Sequence, residues 1–152
     1  PAHRDRAKEV IAVLPHAPVT IVCSATEAAL IKYLSNFFLA MQVLRANMAF
    51  DIAEALGARW PIVRHGIVTD PRIGESHSEP VDGAGRRGAG GDCFIKDMAA
   101  LREFTATPLG SNFDVHGLIT AFELYNIALN RDSGKDHDVL VRVYGPQILE
   151  VA

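Results

Sequence analysis

Cys93, Lys96 and Asp97 stand within five positions of one another, in "CFIKD". A thiol, an ammonium group and a carboxyl at this spacing suit nucleophilic chemistry. A cysteine at a helix start feels the positive end of the helix dipole, and Lys96 adds positive potential. Both favour a thiolate nucleophile. Asp97 follows Cys93 by four residues, so on a helix the two share a face. A carboxyl there can act as a base or orient a water beside the nucleophile. The plain alternative for Cys93 is a small buried hydrophobe.

A second pair is Lys32 and Asn36, set at i and i+4 within the strongly apolar "AALIKYLSNFFLAM". On a helix they share one face. A cation and an amide donor preorganised in a low-dielectric site stabilise an oxyanion. A solvent-facing stripe with a snorkelling lysine explains the same spacing.

The third feature is "DGAGRRGAGGDCFIKD", which contains a literal G-x-G-x-x-G at Gly83, Gly85 and Gly88. A dinucleotide fingerprint needs a buried strand before the first glycine and a helix opening at the third. "SEPVD" is no buried strand, and "AGGD" after Gly88 is no helical run. The acidic residue expected about twenty positions on falls near Glu103, inside a helical pattern. Two readings remain: a flexible glycine-rich linker, or a loop whose backbone approaches a ligand closely ahead of the thiol.

These residues need elements to hold them. "RDRAKEVIAVL" (Arg4 to Leu14) predicts a short amphipathic helix, and "VTIVC" (Val19 to Cys23) a short strand. A lone strand is not a stable sheet, so its neighbours are expected outside this chain. "SATE" (Ser24 to Glu27) is a capping box. An unbroken pattern follows from Leu30 to Leu56, and Gly57 caps it. The resulting helix is roughly 50 Å long at 1.5 Å per residue. A helix so long and so apolar calls for a partner helix, and a two-fold homodimer is the commonest solution. Trp60 to Val68 predicts another helix, and "TDPRIGES" a polar turn. The stretch Ser76 to Asp92 holds five glycines and one proline and reads as a loop. A helix begins around Cys93, with Met98, Leu101 and either Phe104 or Thr105 on one side. Val115 to Arg131 predicts a further helix, and Val139 to Tyr144 a strand. The fold class is mainly α, built on one long dimerising helix with a remnant strand at its start.

Bulk properties restrict the function. The 152 residues are 49% hydrophobic and 22% charged, ordinary for one soluble domain. The net charge of −3 gives no reason to expect nucleic acid or an acidic membrane as partner. No apolar run of ~20 residues indicates a membrane span, and "PAHRDRAKEV" has no hydrophobic region behind it. A cytoplasmic location with reduced thiols is expected, and no metal site. A Cys23–Cys93 disulfide or redox pair is the alternative for the thiols.

Taken in order, "ATEAALIKYLSNFFLAMQVLRANMAF", "DPRIGES" and "GAGGDCFIKDMAAL" resemble the central, dimer-forming region of the UDP-glucose/GDP-mannose dehydrogenase family. The resemblance runs from about Val19 to Arg131, and "CFIKD" points to the branch acting on UDP-glucose-like substrates. It implies residues 24–131 as a central helical domain. Residues 1–23 would be the remnant of a preceding α/β domain, and 132–152 a linker or the start of a following domain. It implies an NAD-dependent four-electron oxidation of a nucleotide sugar to a uronate, through a thiohemiacetal and a thioester on Cys93. Lys32 and Asn36 match the pair that holds the reacting oxygen and its water, and Asp97 the carboxylate assisting proton transfer. Arg72 matches an arginine reaching the neighbouring subunit's substrate. Gly88, Ala89, Gly90 and Gly91 match the loop against the substrate, and Lys96 lies on the cofactor side.

Three departures stand out. The cofactor-binding domain expected before residue 1 and the domain expected after Arg131 are not in the sequence, so turnover by this chain alone is not expected. The loop's usual phenylalanine is Ala89. The residue before the cysteine, usually small, is Asp92, whose charge opposes a thiolate. A non-catalytic dimerisation or nucleotide-sugar-binding module is therefore the competing expectation.

Overall fold

The computed structural model describes residues 2–106 and 115–150. Among them it forms six α-helices, one short 3-10 helix and no strand. The helices are α1 (Ala2–Ala12), α2 (Ala25–Ala55), α3 (Trp60–Val68), α4 (Gly91–Ala106), α5 (Val115–Ser133) and α6 (His137–Tyr144), followed by the 3-10 turn Pro146–Leu149. The mainly α expectation holds. The chain divides into two compact units, residues 1–32 and 33–152.

In the first unit the capping box forms as read. The Ser24 amide donates to Glu27 Oε2 at 2.7 Å, and the Glu27 amide donates to Ser24 Oγ at 3.2 Å. The Ser24 hydrogen bonds hold the Glu27 carboxyl below the usual glutamate range. The expected strand Val19–Cys23 does not form. Val19 and Ile21 are exposed. Extended backbone becomes a strand only when a neighbour takes its N–H and C=O groups, and no described residue does so here.

The second unit carries the rest of α2. Gly57 (φ +66°) ends the helix. The Ala58 amide donates to Ala53 O at 2.8 Å and the Gly57 amide to Glu54 O at 3.0 Å. That is the Schellman pattern, which favours glycine at this position. The main core joins Phe37, Ala40 and Leu44 of α2 to Met98 and Leu101 of α4 and to Ile119 and Leu129 of α5. On α4, Thr105 rather than Phe104 completes the inward face; Phe104 is exposed.

The expected strand Val139–Tyr144 is instead helix α6. Val139, Leu140 and Val143 fall on one helical face and pack with Ile95 of α4 and Ile127 of α5. With no neighbouring strand to pair with, a helix both satisfies the backbone and buries these side chains. A polar contact fastens it: the Tyr144 hydroxyl donates to Glu123 Oε1 at 2.8 Å, and Arg102 Nε lies 3.1 Å from Glu123 Oε2.

Candidate functional site

Asp97 is the buried centre of the site, with 1% of its surface exposed. It sits on α4, one turn after Cys93. Asn36 Nδ2 of α2 donates to Asp97 Oδ2 at 2.6 Å, bridging 61 positions of sequence. Cys93 lies in the first turn of α4 and is an exposed free thiol, as is Cys23. Lys96 is exposed on the same helix. Lys32 is exposed and is the last residue of the first unit.

The glycine loop before the thiol is held tightly, by residues the sequence reading missed. The Ala89 amide donates to Asn126 Oδ1 at 2.8 Å, and Asn126 Nδ2 donates to Ala89 O at 2.9 Å. Asn130 Nδ2 adds a bond to the same carbonyl at 3.3 Å. Lys135 Nζ donates to Gly88 O at 2.8 Å, and the Gly91 amide donates to Asp136 Oδ2 at 2.6 Å. Arg87 anchors the loop to α2 through Asn47 Oδ1 at 2.8 Å and Asp51 Oδ1 at 2.8 Å. A flexible linker does not describe residues 88–91: the Ala89 and Gly91 amides and the Gly88 and Ala89 carbonyls are bonded to side chains, and Gly88 and Ala89 are buried.

Two of these positions have no room for a Cβ as the neighbouring side chains stand. Gly88 has φ +94°, and a Cβ there would overlap Asn130 Nδ2. A Cβ on Gly90 would overlap Asp136 Oδ2 and Lys135 Cε. The signals for the clamp were present: two asparagines at i and i+4 inside the apolar run "YNIALN", then the turn "SGKD". Buried amides in an apolar helix must find polar partners.

Gly88–Gly91 form one wall of a cleft of about 490 Å³, with Glu75, His77, Phe94, Lys135 and Asp136 among its other lining residues. His77 has φ +57° and packs its ring 6.1 Å from that of Phe94. Arg72 is 87% exposed and pairs with Asp70 two residues before it. Its hydrogen bonds hold the Asp70 carboxyl low. Asp92 is partnered: Arg142 Nη2 lies 2.9 Å from its Oδ1.

Among the described residues, the G-x-G-x-x-G segment does not fit a dinucleotide. Gly83 and Gly85 lie on a tight turn closed by the Val81–Arg87 bridge and Gly88 follows it, so no strand precedes the first glycine and no helix opens at the third. Asp82 Oδ1 accepts the amides of Ala84 (2.9 Å) and Arg86 (3.0 Å), so the turn folds around a carboxyl rather than a pyrophosphate. The Arg86 amide above all keeps the Asp82 carboxyl low. Among the described residues no helix is long and apolar enough to cross a membrane.

Residues 26–126 match the model of the UDP-glucose/GDP-mannose dehydrogenase family, central domain. Similar curated proteins include the UDP-glucose 6-dehydrogenase of Rhizobium meliloti, 38% identical over 104 residues, which is 63% of this chain and 22% of that protein. The UDP-glucose 6-dehydrogenase AglM of Haloferax volcanii is 36% identical over 107 residues, 66% of this chain and 24% of that protein. A putative UDP-glucose 6-dehydrogenase, YtcA of Bacillus subtilis, is 42% identical over 82 residues, 54% of this chain and 18% of that protein. The matched stretch thus spans less than a quarter of each relative. No solved structure matches.

Proposed function

This chain belongs to the UDP-glucose/GDP-mannose dehydrogenase family, and we propose that it forms the central part of an NAD-dependent UDP-glucose 6-dehydrogenase. The observation that carries this reading is the Asn36–Asp97 hydrogen bond at 2.6 Å. It joins a buried carboxyl and an amide from two helices, one turn from an exposed thiol. That is the arrangement a covalent aldehyde oxidation needs.

In this reading Cys93 Sγ adds to the aldehyde carbon and the carbonyl oxygen takes a proton, giving a thiohemiacetal. Oxidation of that adduct gives a thioester, and water hydrolyses it to the carboxylate and the free thiol. Asp97 assists the proton transfers. Asn36 and Lys32 hold the reacting oxygen and the attacking water. Residues Gly88–Gly91 bound the sugar and Arg72 serves the neighbouring subunit of a homodimer built on α2. Lys96 would lie on the cofactor side. A bound nicotinamide would supply the hydride acceptor. The described residues build no cradle for it, so hydride transfer is assigned to none of them. Residues 24–131 are the working domain, and the 152 residues alone do not turn over.

Grafting residues 26–126 into the Rhizobium meliloti relative, in place of the segment they match, tests the reading. Uronate formation from UDP-glucose is expected, and its loss on Cys93→Ala. Uronate formed at an undiminished rate by the Cys93→Ala graft would overturn it.

The second reading, a non-catalytic dimerisation or binding module, draws on Ala89. Its methyl group lies in the hydrophobic core and both its backbone groups bond to Asn126. The position therefore offers the cleft no aromatic ring, only a core methyl group. Alkylation of Cys93 no faster than of Cys23 near neutral pH would favour this module.

A further inference from the structure

The turn between α5 and α6 places a carboxyl at the amino end of α4, two residues before the thiol. Asp136 lines the same cleft as Gly88–Gly91. Its Oδ2 accepts the Gly91 amide at 2.6 Å, two residues before Cys93. Asp136 is fixed there. It adopts φ +50°, in the left-handed region, which aspartate tolerates better than most residues. The preceding amide, of Lys135, donates to Asn130 O at 2.8 Å, and Lys135 Nζ donates to Gly88 O. Gly90 has no Cβ where the Asp136 carboxyl packs.

The other charged groups nearby are already paired in part. Lys135 Nζ is 3.8 Å from Asp82 Oδ2, and Arg142 Nη2 is 2.9 Å from Asp92 and 3.6 Å from Asp138. Lys96 is exposed on α4.

We infer that Asp136 is a specificity-determining residue that selects the charge of what reaches Cys93, admitting neutral electrophiles and repelling carboxylates. This rests on the proposed role of Cys93. In that reaction the group that enters is an uncharged primary alcohol, it meets Cys93 as a neutral aldehyde, and the group that leaves is a carboxylate. A fixed negative charge at the amino end of α4 discriminates against the product and favours its release.

The test compares two alkylating reagents of nearly equal size, neutral iodoacetamide and anionic iodoacetate, on the 152-residue chain. Rates at Cys93 and Cys23 are read by peptide mass spectrometry. The same thiolate attacks both reagents and displaces iodide, so any change in thiol ionisation or exposure cancels from their ratio. Asp136→Asn keeps an acceptor for the Gly91 amide and removes the charge. It is expected to raise the iodoacetate-to-iodoacetamide ratio at Cys93 roughly two- to three-fold, the order of effect of one nearby unit charge in water. The ratio at Cys23 stays put.

Asp136→Ser, which removes the same charge, is the second variant and should give the same rise at Cys93; it decides the matter if Asp136→Asn does not fold. A ratio at Cys93 that a folded Asp136 variant leaves unmoved overturns the inference. Failure of the enzymatic reading would show instead in the graft's uronate yield, which these ratios do not touch.

Discussion

Asn126 pairs with Ala89 as a neighbouring strand would, taking both its N–H (2.8 Å) and its C=O (2.9 Å) on one carboxamide. Both residues are buried. One side chain thus replaces the sheet that this loop lacks, and α5 becomes the support of the residues leading to Cys93. Replacing Asn126 with Ala leaves the buried Ala89 amide without its partner and opens a small void. Each buried unsatisfied group costs ~1–3 kcal/mol. Urea denaturation of Asn126→Ala should show a loss of about 2–4 kcal/mol. A loss below about 0.5 kcal/mol would remove the clamp from the account.

The loop glycines should divide by mechanism. Gly57 has φ +66° but open space around its missing Cβ. Gly57→Ala should therefore cost only the left-handed backbone penalty, about 1–2 kcal/mol. Gly88 combines φ +94° with overlap on buried Asn130. Gly88→Ala must pay for both and should lose at least ~1 kcal/mol more. Thermal melts of the two variants side by side read the order directly. Equal melting temperatures would contradict the packing described at Gly88.

Much of this was legible in the sequence, for physical reasons that differ by element. The start of α2 was readable because Ser24 and Glu27 satisfy each other locally. Its end was readable because Gly57 adopts a backbone conformation few residues tolerate. Asn36 and Asp97 were each singled out by spacing on their own helix. Their meeting across 61 positions is a tertiary fact that no spacing contains. Val139–Tyr144 was misread because valine-rich runs favour strands only where a sheet accepts them. For the clamp residues Asn126, Asn130, Lys135 and Asp136, the asparagines' place in an apolar run signalled that partners were needed, but those partners are backbone groups, which carry no residue-type signal to identify them.

The Asn36–Asp97 contact should behave as a coupled pair. A hydrogen bond between side chains contributes ~1 kcal/mol net, more when a partner is charged. In a double-mutant cycle of Asn36→Ala and Asp97→Ala, a coupling energy of about 1–2 kcal/mol is expected. Chemical denaturation of the four proteins supplies it. Additive losses would mean that the 2.6 Å contact holds nothing in place, and the apolar core that includes Phe37, Ala40, Leu44, Met98 and Leu101 would account for the approach of the two helices without it.

Glu123 gives the second unit a pH dependence of predictable sign. Burial pushes its carboxyl above the ordinary glutamate value of 4.5, against the opposing pull of the Tyr144 hydroxyl and Arg102. The same burial, with the neighbouring carboxyl, pushes the Tyr144 hydroxyl far upward, so it remains a donor. The folded state thus keeps the Glu123 proton to a higher pH than the unfolded chain does. Its contribution to stability is fully present below the unfolded value and is lost as pH rises through the folded one. Glu123→Gln keeps an acceptor for Tyr144 but cannot titrate, and Arg102 retains Glu103 at 2.6 Å. Relative to the unsubstituted chain, Glu123→Gln should therefore gain stability steadily as pH rises from about 4 toward neutrality. Glu123→Ala, which strands the Tyr144 hydroxyl, should lose about 2–3 kcal/mol at neutral pH. Denaturation midpoints of the three proteins across this range decide it. A Glu123→Gln difference that stays flat or falls with pH would show that Arg102 and Tyr144 outweigh burial.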